Sequence, residues 1–196
     1  MKVAEGFITT PDGVRLSFQK VGSGDRTVIV PNAIYMIEDF KYLAKDRTMI
    51  FFDLRNRGRS DAVIDIAKLK GGIHNDVEDI EAVRRHFGLT TIDLIGHSYV
   101  GAVVALYAMK YPEHVNRVVQ IGPVQPSMAK QYPASLTNTD DTMRDVFTKL
   151  AQMQSEQSTK DPVDACKQVW SVLRLMYVFD PKDAHKLAHW DFCELS

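Results

Sequence analysis

Apolar and polar positions change their rhythm along the chain, and each rhythm predicts an element. Glu5 to Thr9 and Val14 to Gln19 flank Pro11-Asp12-Gly13, whose φ preferences suit a tight turn, so together they predict a hairpin. Gly22-Ser23-Gly24-Asp25 is a second turn. Thr27 to Val30 and Thr48 to Asp53 are short apolar runs, as expected for strands buried on both faces. A short helix is expected between them, over Glu38 to Ala44. Farther on, Val77, Ile80, Val83 and Phe87 recur at helical spacing. Asn75 or Asp76 is placed to cap that helix, and Arg84, Arg85 and His86 suit its last turn. Gly88 follows as the residue just past the helix end, with Leu89 as its apolar partner.

Thr91 to Gly96 is the next strand pattern, and Tyr99 to Tyr111 the next helix, ended by Pro112. This helix is apolar nearly all round (Val100, Val103, Val104, Leu106, Met109), which predicts burial. Val115 to Ile121 is one more strand. Strands alternating with helices predict an α/β fold, a mostly parallel twisted sheet with helices on both faces. After Pro123 the pattern changes. From Thr139 to Trp190 only helical periodicity appears, over Met143 to Met153, Pro162 to Val178 and Ala184 to His189. The expected organisation is therefore a core over residues 1–125 and a helical lid or cap segment over 126–196.

Composition narrows the function classes. The chain has 196 residues, enough for one good core without forcing a second. Its formal net charge of −1, with cations spread along the chain, gives no sign of a nucleic-acid or anionic-membrane partner. Met1 to Glu5 has no apolar leader pattern, and no apolar run reaches the roughly 18 residues of a membrane span. Cys166 and Cys193 have no metal-ligand spacing; a disulfide is geometrically allowed but not demanded, so a reducing cytoplasm is the simpler expectation.

The candidate chemistry lies in Leu94-Ile95-Gly96-His97-Ser98-Tyr99-Val100-Gly101. Here a buried strand runs straight into a buried helix with Ser98 at the junction. So tight a turn strains the serine backbone, requires small flanking residues and lifts the hydroxyl above the sheet. It also sets Ser98 at a helix N-terminus, where N–H groups favour developing negative charge. The alternative is a structural serine in an ordinary strand-to-helix turn. The fifth position of the G-x-S-x-G pattern is Val100, and the small residue comes one later, at Gly101.

Three segments together resemble the α/β-hydrolase superfamily, in its prolyl-iminopeptidase-like and esterase branch. They are Gly96 to Gly101, the D-x-R-x-x-G-x-S loop Asp53-Leu54-Arg55-Asn56-Arg57-Gly58-Arg59-Ser60, and the helix Asp79 to Leu89. The resemblance covers roughly residues 5–125. It implies that the arginine loop is structural, with its cations paired to acids and Gly58 at positive φ. It also implies a serine nucleophile at Ser98 and an oxyanion hole made by the backbone N–H of Tyr99 and a second N–H from the loop after the Thr27 strand. The family has His-Gly-x-Pro there; this chain has Pro31-Asn32-Ala33-Ile34-Tyr35, so by position Ala33 is the second donor. The side chains of Asn32 and Tyr35 are open to two readings, at the substrate or in a surface loop. His97 is counted with them, and is a common family residue with a structural role.

A triad also needs an acid and then a histidine later in the chain, on loops after strands that do not appear here. Asp161, Asp164, Asp180 and Asp183 precede His185 and His189 in the right order, but Asp180 to His189 reads as a capped lid helix. His185 and His189 are four apart without the following Glu of a zinc-helix motif, and His74, His86 and His114 sit at helix ends. The expectation is a serine hydrolase of a carboxylic ester or small amide, without cofactor or metal, with base and acid outside this chain. Trp170, Tyr177, Phe179 and Trp190 are candidates for pocket lining or lid core. The rival is a non-catalytic ligand-binding or interaction protein on an incomplete version of the fold. An open sheet edge after Val115 to Ile121 adds an expectation of self-association.

Overall fold

The computed structural model describes residues 3–124, 141–156, 161–178, 180–187 and 193. They fall into two compact units, one within residues 3–124 and one within 141–193. In the first, β1 (Val3–Thr9) and β2 (Arg15–Val21) form the antiparallel hairpin, with Thr9 opposite Arg15. Gly13, at φ 84°, closes its turn by donating to the Thr10 carbonyl at 2.9 Å. Then come β3 (Thr27–Pro31), α1 (Ala33–Phe40), β4 (Thr48–Phe52), the single turn α2 (Ile66–Leu69) and α3 (Ile73–His86). β5 (Ile92–His97), α4 (Tyr99–Lys110) and β6 (Val115–Ile121) follow. The sheet order is β1-β2-β4-β3-β5-β6, and β4, β3, β5 and β6 run parallel.

Strand alternation divides the core between two faces. Ile29, Ile50, Phe52, Ile92 and Leu94 meet Val77, Ile80 and Val83 of α3 and Val100, Val103, Val104 and Tyr107 of α4. Val28, Val30, Met49, Phe51 and Ile95 point the other way, to Ala33 and Met36 of α1. Helix α3 ends as its sequence predicts: Gly88 at φ 63°, its N–H on the Arg85 carbonyl and the Leu89 N–H on the Arg84 carbonyl.

Four expectations need correction. Helix α1 starts at Ala33, five residues early, because Asn32 takes a left-handed conformation at the very end of β3 (φ 70°, ψ 53°). Helix α3 starts after Gly72, so Asn75 and Asp76 lie inside its first turn and cap nothing. Helix α4 is not buried all round, since Met109 is 78% exposed. Cys166 and Cys193 are joined in a disulfide, which removes the argument from free thiols for a reducing compartment.

The second unit is helical where it is described. It contains α5 (Asp141–Glu156) and α6 (Pro162–Leu173), followed by 3₁₀ turns over Arg174–Tyr177 and Pro181–Lys186. Asp161 caps α6 by accepting from the Val163 N–H, and Asp180 caps the last turn by accepting from the Lys182 N–H. Among the described residues, no helix is long and apolar enough to cross a membrane.

Candidate active site

The chain leaves β3 for β4 on one side, then returns to place β5 and β6 on the other. Strand order therefore reverses between β3 and β5, and the crevice at their carboxyl ends is where open α/β sheets bind ligands. The register pairs Ile29 with Leu94. Asn32 and Ala33 follow directly on β3, and Ser98 and Tyr99 directly on β5, so both turns lie at the carboxyl ends of these two neighbouring strands.

Ser98 alone makes the turn between His97 and Tyr99. Its φ of 54° and ψ of −123° lie outside the regions an L residue ordinarily adopts. Such a conformation costs on the order of 1–3 kcal/mol and persists only if its surroundings enforce it. The end of β6 supplies that enforcement. The Ser98 N–H donates to the Ile121 carbonyl at 3.0 Å, and the Ser98 carbonyl accepts from Gly101 at 3.0 Å and Val124 at 3.1 Å. Gln120 adds a bond from Nε2 to the Gly101 carbonyl at 2.8 Å. The two glycines are steric requirements. A Cβ on Gly96 would lie 2.5 Å from the Val100 carbonyl oxygen, and one on Gly101 would lie 2.8 Å from Pro123 Cβ. Val100 is accommodated because its side chain is buried in the core.

Tyr99 and Ala33 are the first residues of α4 and α1, so neither N–H has an acceptor within its helix. The Tyr99 hydroxyl donates to Asp76 Oδ2 at 2.6 Å, and the Arg57 guanidinium lies 5.8 Å above its ring. Burial raises the pKa of Tyr99, and its bond to Asp76 adds to that. Burial also raises the pKa of Asp76, against the pull of Tyr99 and Arg57. Tyr35 is half-buried in α1, with its pKa raised by burial and Arg57 opposing. His97 closes β5; burial lowers its pKa, with Asp39 opposing. The Asn32 side-chain oxygen is buried without a hydrogen-bond partner.

The arginine loop divides its cations. Arg55 is buried between Asp79, at 2.6 Å, and Asp12, at 2.9 Å, which is the expected structural pairing. Arg59 reaches Glu5 only at 3.8 Å, on the surface. Arg57 lies over the Tyr99 ring at 5.8 Å, with its charge acting on Asp76 from a distance. Gly58 has the expected positive φ, 53°.

Two acids were missed in the sequence. Asp53, at the end of β4, accepts the Ile34 N–H at 2.8 Å and the Arg59 N–H at 3.2 Å. Asp76, one of two cap candidates by sequence, falls within the apolar stripe of α3, where a buried acid needs a donor. The later acids and histidine have local roles: Asp183 pairs with Lys186 at 2.6 Å, and His185 Nδ1 is 2.6 Å from the Lys182 carbonyl oxygen. His189, Phe179 and Trp190 lie outside the described residues. Among the described residues, no group of three or more His, Cys, Asp or Glu side chains is arranged to hold a metal.

The α/β-hydrolase-fold family model matches residues 34–189. The chain belongs to the α/β-hydrolase family. A proline iminopeptidase of Heyndrickxia coagulans is 30% identical over 126 residues, which cover 61% of this chain and 43% of that protein. A bifunctional esterase/perhydrolase of Acinetobacter calcoaceticus is 30% identical over 156 residues, covering 74% of this chain and 52% of that protein. An α/β-fold family hydrolase of Bacillus anthracis superposes with a TM-score of 0.69 at 17% identity, covering 94% of this chain and 67% of that one. This α/β-hydrolase chain thus spans about half the length of the curated relatives it matches.

Proposed function

We propose that the protein is a serine hydrolase of a carboxylic ester or small amide, with Ser98 as nucleophile. The observation that carries this reading is the backbone of Ser98, held at φ 54° between a strand end and a helix N-terminus, at the same end of the sheet as the start of α1 at Ala33. Strain of this kind, enforced by three backbone bonds and two obligatory glycines, is kept where a side chain must be presented. In the proposed reaction, Ser98 Oγ bonds to the substrate carbonyl carbon and gives its proton to a base. The Tyr99 and Ala33 N–H groups hold the oxyanion. The alcohol or amine leaves with a proton, and water releases the acid and restores the serine. Base and acid belong, in this reading, to the part of the relatives that this chain does not match. The helical second unit keeps the role of lid on its helical content alone. Every residue of β6 is at least partly exposed, Val119 by 49%, which supports self-association along that edge.

The test is labelling with a fluorophosphonate probe, with and without imidazole as a substitute base. Phosphonylation located at Ser98 by mass spectrometry, accelerated by imidazole and lost in Ser98→Ala, is the expected result. A folded chain that gives no Ser98 adduct under either condition overturns the reading of Ser98 as a nucleophile within this chain and moves the search to the part of the relatives that the chain does not match.

A further inference from the structure

Resting on the serine-hydrolase reading, we propose that Asp53 is a positioning residue, whose carboxylate fixes the aim of the Ala33 N–H at the oxyanion of the group bound to Ser98. Asp53 follows directly on β4, the neighbour of β3 in the sheet, and is 5% exposed. One carboxylate oxygen takes the Ile34 N–H, the next donor along the chain from Ala33. The other takes the Arg59 N–H, and the loop wraps so closely that a Cβ on Gly58 would lie 2.3 Å from it. On the other side of Ala33, the Asn32 carbonyl accepts the Tyr35 N–H at 3.1 Å. Ala33 is therefore bracketed by two anchors, while its own N–H, at the start of α1, is left for a ligand.

This arrangement answers a local problem. The family places a glycine-containing turn here, and this chain has Pro31-Asn32-Ala33. Asn32 supplies the left-handed residue, yet its side chain makes no capping bond to α1. The capping contact comes instead from Asp53, 19 residues ahead of Ile34 in sequence. A carboxylate accepting helix N-terminal N–H groups makes charge-assisted bonds, stronger and more directional than a neutral cap. Burial raises the pKa of Asp53, while the Ile34 and Arg59 N–H groups and the Arg59 charge oppose that rise. The other ionisable group that interacts with it is Tyr35 from α1.

The experiment compares fluorophosphonate labelling of the full chain, in imidazole, for wild type, Asp53→Asn and Ser60→Ala. Ser60 serves as the structural control. Its hydroxyl donates to the Asp53 carbonyl at 2.7 Å and accepts the Ser17 N–H at 2.9 Å, tying the loop to β2. Asp53→Asn is expected to lower the maximal labelling rate per folded molecule about tenfold to a hundredfold, with the probe's half-saturating concentration unchanged. Ser60→Ala, although less stable, is expected to label at the wild-type rate. Equal rates in wild type and Asp53→Asn overturn the inference and leave the serine-hydrolase reading standing; an unlabelled wild type overturns both. Because Asp53→Asn risks misfolding, a second measurement uses wild type only. Across an acid titration, the Ala33, Ile34 and Arg59 amide resonances are expected to shift with one shared midpoint. An Ala33 resonance that stays fixed while the other two move overturns the inference.

Discussion

Two turns sit side by side at the carboxyl ends of β3 and β5, and both force a residue other than glycine to positive φ. At Ser98 the constraint is carried by backbone: three main-chain hydrogen bonds to or from the residue, and two glycines whose neighbours leave no room for a Cβ. At Asn32 it is shared between one main-chain bond, the Tyr35 N–H on the Asn32 carbonyl, and the distant side-chain carboxylate of Asp53 on the Ile34 N–H, while the Asn32 side chain contributes a buried oxygen with no partner. Backbone constraint of the first kind tolerates almost no substitution. Constraint of the second kind depends on the protonation and presence of a single remote group, and mutation should expose the difference.

The largest effect is expected at the backbone-held turn. Gly96→Ala places a methyl 2.5 Å from the Val100 carbonyl oxygen, a backbone atom of a packed helix that cannot move aside. The expected cost is about 3 kcal/mol, the upper range for overpacking a core. Urea unfolding gives the value, and a loss below about 1 kcal/mol would show that the elbow relaxes easily.

A smaller effect is expected where the two modes meet, at Tyr99. Tyr99→Phe removes the donor 2.6 Å from the buried Asp76 carboxylate, at an expected cost of about 1–3 kcal/mol near pH 7. The sign of the pH dependence follows from the raised pKa of Asp76. Between the ordinary carboxylate range and its folded value, the folded chain holds a proton that the unfolded chain has released. The Asp76 contribution therefore declines as pH rises through that window. Losing the Tyr99 bond raises the folded pKa further, so the mutational cost should shrink towards pH 4. A cost independent of pH would mean that Asp76 has found another donor.

The contrast between the turns also explains what the sequence made legible. Gly96, Ser98 and Gly101 are local: strand, turn and helix occupy eight consecutive residues, and the steric demand can be read from their order. The end of helix α3 was legible for the same reason, since Gly88 and Leu89 complete a motif within one turn. Asp53 reads by sequence as part of a structural loop, but its partner Ile34 is separated from it by β4 and a 3₁₀ turn. Only the parallel pairing of β3 with β4 brings them together. The early start of α1 was missed for a related reason: the left-handed turn at Asn32 starts the helix directly from the strand, with no local capping sequence. Asp76 and Glu81 needed the partners Tyr99 and Tyr107, supplied by α4, before acids buried in α3 made sense.

The smallest effect, and the most direct comparison, comes from placing glycine at each positive-φ residue. Ser98→Gly removes backbone strain on the order of 1–3 kcal/mol while adding the glycine's unfolded-state entropy of about 0.5–1 kcal/mol. A net gain of about 1 kcal/mol in stability is expected, together with loss of any adduct. Asn32→Gly relieves a milder conformation, because asparagine tolerates the left-handed region, and it also removes an unpartnered buried oxygen. Set against the same entropy, its net change should lie within about 0.5 kcal/mol. Paired urea titrations measure both differences. If Asn32→Gly stabilised the chain as much as Ser98→Gly, the two turns would carry equal strain. Asp53 would then be holding a distorted α1 start in place, and not capping a relaxed one.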